Sequence, residues 1–143
     1  MIKDFTMDVY AKLVKSTLNN NFKPLTVSDF FVRNIEEKNV FMRHDVDRRP
    51  EKALEMAILE NDLGFKSTYY FLTISETYKE DIILQIKDLG HEIGYHYESL
   101  SDTDGNMDKA LIEFEYNLDR MRQIVQVKTI SMHGRPFKKY DNR

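Results

Sequence analysis

Apolar residues at Val9, Leu13, Val14 and Leu18 keep a helical spacing, which predicts a helix over residues 6 to 19. The run Asn19-Asn20-Asn21 ends it, and residues 22 to 27 read as a connection. Ser28 is placed to cap a short helix carrying Phe30, Phe31 and Ile35. From Asn39 onward, short apolar runs alternate with longer amphipathic stretches. Val40 to Arg43 reads as a strand, and residues 50 to 63 as a helix with Ala53, Leu54, Ala57 and Ile58 on one stripe. Pro50 suits the first turn of that helix and Gly64 its close. Ser67 to Leu72, rich in Thr, Tyr and Phe, is a second strand. Residues 78 to 89 repeat the helical pattern through Ile82, Ile83, Ile86 and Leu89, closed by Gly90, and Glu92 to His96 is a third strand. After a polar loop from Asp102 to Asn106 comes the longest helix, residues 107 to 125, with Met107, Leu111, Phe114, Leu118, Met121 and Val125 expected to face inward. Val127 to Met132 is a fourth strand, broken by His133-Gly134-Arg135-Pro136.

Strands joined by crossover helices imply a parallel sheet with helices packed on it. The expected fold is therefore α/β. It is a single domain over residues 1 to 143, with a helical lead-in over residues 1 to 38 and a βαβαβαβ unit from residue 39.

Composition narrows the chemistry. The chain has no cysteine, so disulfides and thiolate metal sites are excluded, and any metal must be held by His, Asp or Glu. The net charge of −3 gives no electrostatic reason to expect nucleic acid as a partner. No run approaches the ~20 apolar residues that cross a bilayer. Met1 to Tyr10, with Lys3, Asp4 and Asp8, lacks the apolar core of a secretion signal, so the chain reads as cytoplasmic.

In parallel α/β folds, reactive groups gather at the C-terminal ends of strands. Three polar clusters fall there: His44-Asp45-Val46-Asp47, His96-Tyr97-Glu98 and His133-Gly134-Arg135. They contain three of the chain's four histidines; His91 starts its strand, at the opposite end, and reads as structural or exposed. Asp45 and Asp47 point to one side, because strand side chains alternate. Two neighbouring carboxylates need a cation or a proton to coexist. A divalent metal on one would leave the other free as a general base. The competing reading is a solvated turn with an aspartate capping the helix at Pro50. His96 lies in the same layer as Asp47, and Glu98 could reach the same ion or act from behind a ligand. His133 could be a third ligand, a general acid, or a strand-end histidine bonded to the backbone. Arg135 could bind a carboxylate, orient the base, or lie on the surface.

These residues resemble a known family. Arg43-His44-Asp45-Val46-Asp47 and Gly90-His91-Glu92-Ile93-Gly94-Tyr95-His96-Tyr97-Glu98 are similar to the first two motifs of polysaccharide deacetylases, the NodB-like family, in its His-Asp-Val-Asp branch. Ser131-Met132-His133-Gly134-Arg135-Pro136 falls where a later motif lies. The resemblance implies a partial (β/α) barrel of NodB-like type and a divalent metal, zinc by preference, with cobalt, manganese or iron as alternatives. It implies removal of an acetyl group from an amino sugar or polysaccharide precursor. Asp45 is then the catalytic base, Asp47 and His96 metal ligands, and His133 the counterpart of the general acid. Glu98, His44 and Arg135 are further ligands or residues behind them.

Two departures stand out. The family's second motif carries another histidine four residues after the first, where this chain has Leu100. The four strands also supply only the N-terminal half of the family's barrel. The open sheet edge could be covered by the lead-in helices or by a second copy of the chain, or the barrel could be an incomplete remnant serving as a binding or assembly module. Another metal-dependent amidohydrolase activity on the same residues is a further alternative.

Overall fold

The structure is a computed structural model that describes residues 4–142. Its centre is Thr68–Phe71, a strand in which every residue is buried. This strand, β4, lies in a four-stranded parallel sheet of order β3-β4-β5-β6, with β3 at Arg43–Val46, β5 at Glu92–Tyr97 and β6 at Ile130–Met132. The crossovers are the helices α2 (Pro50–Asp62), α3 (Glu80–Asp88), and α4 (Ser99–Asp102) followed by α5 (Met107–Arg122). The sheet curls into a half-barrel with helices on its convex side. Ahead of it run α1 (Met7–Asn19), β1 (Lys23–Leu25), a 3-10 turn (Ser28–Phe31) and β2 (Asn39–Phe41).

Several expectations shift here. The segment over 22 to 27 holds a strand, β1, which pairs in parallel with β2 in a separate two-stranded sheet. The expected strand over 40 to 43 is thus split: β2 belongs to the small sheet, and the main sheet begins at Arg43, so His44 and Asp45 lie within the strand and only Asp47 follows it. The lead-in has one α-helix and one 3-10 turn, and Phe30 and Phe31 are exposed rather than packed. The N-terminal part of the polar stretch at 102 closes α4. On α5, Met107 and Leu111 are 67% and 57% exposed, because the stripe that turns inward runs through Ala110, Phe114, Asn117, Leu118 and Met121.

Strand alternation divides the sheet into two unlike faces. Val46, Tyr69, Phe71, Ile93 and Tyr95 point to the helices and pack with Ala57, Ile83, Ile86 and Met121 in the apolar core. The registers Arg43↔Thr68, Asp45↔Tyr70, Thr68↔Glu92, Tyr70↔Gly94 and His96↔Ser131 put these paired residues together on the concave face. That face is a polar network. Arg43 reaches across the curl to Ser131 Oγ at 2.6 Å, its guanidinium 5.0 Å above the Tyr70 ring. Tyr70 donates to Thr129 Oγ1, and Thr68 and Thr129 donate to the Glu92 carboxylate. The backbone N–H groups of Val27 and Ser28 donate to Thr68 Oγ1 and Glu92 Oε2, so the lead-in closes the lower end of this face. Gly94 makes the network possible: a Cβ there would stand 2.3 Å from Tyr70 Cε1 and 3.0 Å from the Thr129 carbonyl. Because Tyr70 is only 2% exposed and cannot swing away, Gly94→Ala should destabilise the fold by about 1–3 kcal/mol, read as a lower urea midpoint.

On the convex side sits a second polar group, centred on Glu60, which has no solvent exposure. Its carboxylate accepts from Ser67 Oγ at 2.8 Å and Tyr69 OH at 2.7 Å, meets His44 Nε2 at 2.8 Å, and also accepts from Tyr10 OH of α1. These partners compensate a carboxylate that would otherwise be too costly to bury. His91 is structural: Nδ1 accepts from the Ser67 N–H, and Nε2 donates to the Ala57 carbonyl. Burial depresses the His91 pKa below 6.5. Burial pushes the Glu60 pKa up, but the His44 contact and the tyrosine hydroxyls outweigh it and leave it below 4.5. Both groups bind protons less readily folded than unfolded. The stability these two groups contribute should therefore be fully present above pH 6.5. It should decline first as unfolded-chain His91 takes a proton that the folded residue refuses, then below pH 4.5 as Glu60 protonates. Urea midpoints measured across that range check the sign; a flat profile would contradict it.

Candidate metal centre

Three strand ends meet at the C-terminal rim of the sheet, and each delivers a donor to one point. Asp47 follows β3, at the turn where Arg49 adopts φ 51° and Pro50 opens α2. His96 lies near the end of β5 and His133 just past β6. Asp47 Oδ1 is 3.4 Å from His96 Nε2 and 3.3 Å from His133 Nδ1, and the two nitrogens are 3.0 Å apart. Ligands held ~2.0–2.1 Å from a tetrahedral ion lie ~3.3 Å from each other, so this triangle has the dimensions of one face of such a site.

Two further observations fit a cation. Asp47 Oδ1 is buried and has no hydrogen-bond partner among the described residues, an arrangement that costs free energy unless something positive fills it. The His96 ring is already set for coordination. Its Nδ1 donates to the Ser131 carbonyl at 3.0 Å, so its Nε2 carries the lone pair and faces the triangle. Burial, partly offset by the Asp45 carboxylate, holds the His96 pKa below 6.5. These three residues can hold a metal ion.

Asp45 stands beside the triangle, Oδ2 3.9 Å from His96 Nε2, on the concave face as the strand period requires. Arg43 grips it: Nη2 lies 2.6 Å from both carboxylate oxygens and Nε 3.1 Å from Oδ1. Arg43 was missed as a site residue, although its spacing of two from Asp45 on one strand would have revealed the shared face. Glu98 is 5% exposed and outside the triangle, its Oε2 3.9 Å from His133 Nε2. Arg135 binds it through Nε and through Nη2 at 2.9 Å, so Arg135 serves Glu98 and not Asp45. The Glu98 hydrogen bond raises the Arg135 pKa further and keeps the guanidinium charged.

His44 does not join the site. It alternates with Asp45, faces the helices and is committed to Glu60, so its expected place at or behind the metal is corrected. Position 100 is also removed from the site: Leu100 lies in α4 and lines a cavity of about 210 Å³ with Tyr97, Met107, Leu111 and Phe114.

Comparison of the chain with protein-family models gives no match, and searches of curated proteins and of solved structures give none either. Among the described residues, no helix is long and apolar enough to cross a membrane.

The triangle makes a direct prediction. Chelator-treated protein should take up one Zn²⁺ per chain in a calorimetric titration, and Asp47→Ala or His133→Ala should weaken uptake at least ~100-fold, since each removes a ligand. Equal affinity in all three proteins would remove the site.

Proposed function

We propose that this chain is a metal-dependent hydrolase of the polysaccharide deacetylase type, removing an acetyl group from an amino sugar or polysaccharide precursor. The observation that carries the reading is the Asp47–His96–His133 triangle with a clamped carboxylate, Asp45, at its side. The ligands would be Asp47 Oδ1, His96 Nε2 and His133 Nδ1, with His133 replacing the histidine absent at position 100. Zinc suits a set of two imidazoles and one carboxylate. When bound, the ion supplies Lewis acidity, polarising an acyl carbonyl and making water a better nucleophile at neutral pH.

The chain's own residues do the rest. Asp45 takes a proton from the water that adds to the acetyl carbon. Arg43 holds both Asp45 oxygens, so the base is oriented before substrate arrives. The bond from the acetyl carbon to the sugar nitrogen or oxygen then breaks, the leaving atom takes up the proton that Asp45 received, and acetate departs. His133 is assigned to the metal rather than to proton delivery, because its Nδ1 is already 3.3 Å from Asp47 Oδ1 and 3.0 Å from His96 Nε2.

The test is acetate release from N-acetylated hexosamine oligomers with added Zn²⁺ or Co²⁺. The wild type should release acetate, Asp47→Ala should not, and Asp45→Asn should fall ~10²–10⁴-fold in kcat. Equal rates in wild type and Asp47→Ala would reject the mechanism.

A further inference from the structure

The two imidazoles of the triangle are supported differently. His96 is oriented by a backbone carbonyl, at the Ser131 oxygen. His133 has its Nδ1 at the triangle, so its proton must sit on Nε2 when Nδ1 binds a metal. A carboxylate oxygen, Glu98 Oε2, lies 3.9 Å from that nitrogen. This separation exceeds a hydrogen bond, so the contact requires the ring and the carboxylate to draw together.

Glu98 is unusually well fixed for such a role. It is buried, with the Arg135 guanidinium engaging both of its oxygens. Around it the segments after β5 and after β6 are stitched together by Asn142. Its Oδ1 accepts from the Leu100 N–H, and its Nδ2 donates to the His133 carbonyl and Ser101 Oγ. The Arg135 N–H donates to Asp141 Oδ1. His133, Arg135 and Glu98 are therefore held as one unit, although they come from two loops.

We propose that Glu98 is a positioning residue: it receives the Nε2 proton of His133 and so presents Nδ1 to a divalent metal, with Arg135 holding the carboxylate in place. This rests on the reading of the triangle as a metal site. A carboxylate behind a ligating imidazole raises its basicity and fixes its ring, and losing such a partner typically costs ~10–100-fold in metal affinity. Arg135 on one side and the His133 N–H on the other would then face the single negative charge of Glu98. That arrangement accounts for a buried carboxylate outside the triangle.

The experiment measures Zn²⁺ affinity by competition with a chromophoric chelator in wild type, Glu98→Ala, Glu98→Gln, His133→Ala and the double variant Glu98→Ala/His133→Ala. Thermal melts in chelator confirm that each variant is folded. Glu98→Ala should bind Zn²⁺ ~10–100-fold more weakly, and the Co²⁺-loaded protein should show an altered d–d spectrum. Glu98→Gln keeps the shape, should lose ~10-fold, and decides the matter should Glu98→Ala not fold. Once His133 is gone, removing Glu98 should cost little more, because the two act through one bond. Unchanged affinity in the Glu98 variants, or losses that simply add in the double variant, would overturn the positioning role while leaving the metal site intact. No Zn²⁺ uptake by the wild type would overturn both.

Discussion

Alternate side chains of a strand leave its two faces, and in β3 that rule separates two chemistries one residue apart. His44 turns to the helices and ends on Glu60; Asp45 turns to the hollow of the half-barrel and ends on Arg43. The same alternation through β4, β5 and β6 sends Tyr69, Phe71, Ile93 and Tyr95 to the apolar core and Tyr70, Glu92, Gly94, His96 and Ser131 to the hollow. A slip of one residue in the register would exchange the faces and dismantle core and site together. The rim geometry thus depends on pairings such as Asp45↔Tyr70 and His96↔Ser131.

Both polar groups are built on the principle that a buried charge must be surrounded by donors. Glu60, on α2, meets this with hydroxyls and an imidazole from α1, the sheet and Ser67 just before β4, which ties the lead-in helix to β3 and hence to the strand bearing Asp45. Glu92 does the same in the hollow, with threonines and the backbone of the lead-in. Such networks oppose substitution because removing one partner leaves another unpaired.

Asp47 differs from Glu60 and Glu92. Its Oδ1 is buried without a hydrogen-bond partner among the described residues while two imidazole nitrogens converge on it. A buried carboxylate oxygen without a donor that faces two imidazole nitrogens has the character of a binding site. Arg43 and Arg135 sharpen it by each claiming a different acid, Asp45 and Glu98, so the triangle keeps its own carboxylate free for a cation.

Much of this was legible beforehand. Helical and strand periodicities marked the βαβαβαβ order and its parallel sheet, and a spacing of two placed Asp45 and Asp47 on one side. The same spacing excludes His44 from that side and includes Arg43, inferences available from local geometry alone. What lay beyond the sequence was everything that depends on residues distant along the chain. The pairing of β1 with β2, the exposure of Met107 and Leu111, and the reach of Arg43 to Ser131 are set by how the sheet curls. Whether His133 meets Asp47 and His96, and which acid Arg135 serves, was decided by the path of the segment after β6. The sequence determined which residue types stand at strand ends, because strand periodicity is local. Only the tertiary structure chose their partners, because those contacts arise when separate rim loops are brought within bonding distance.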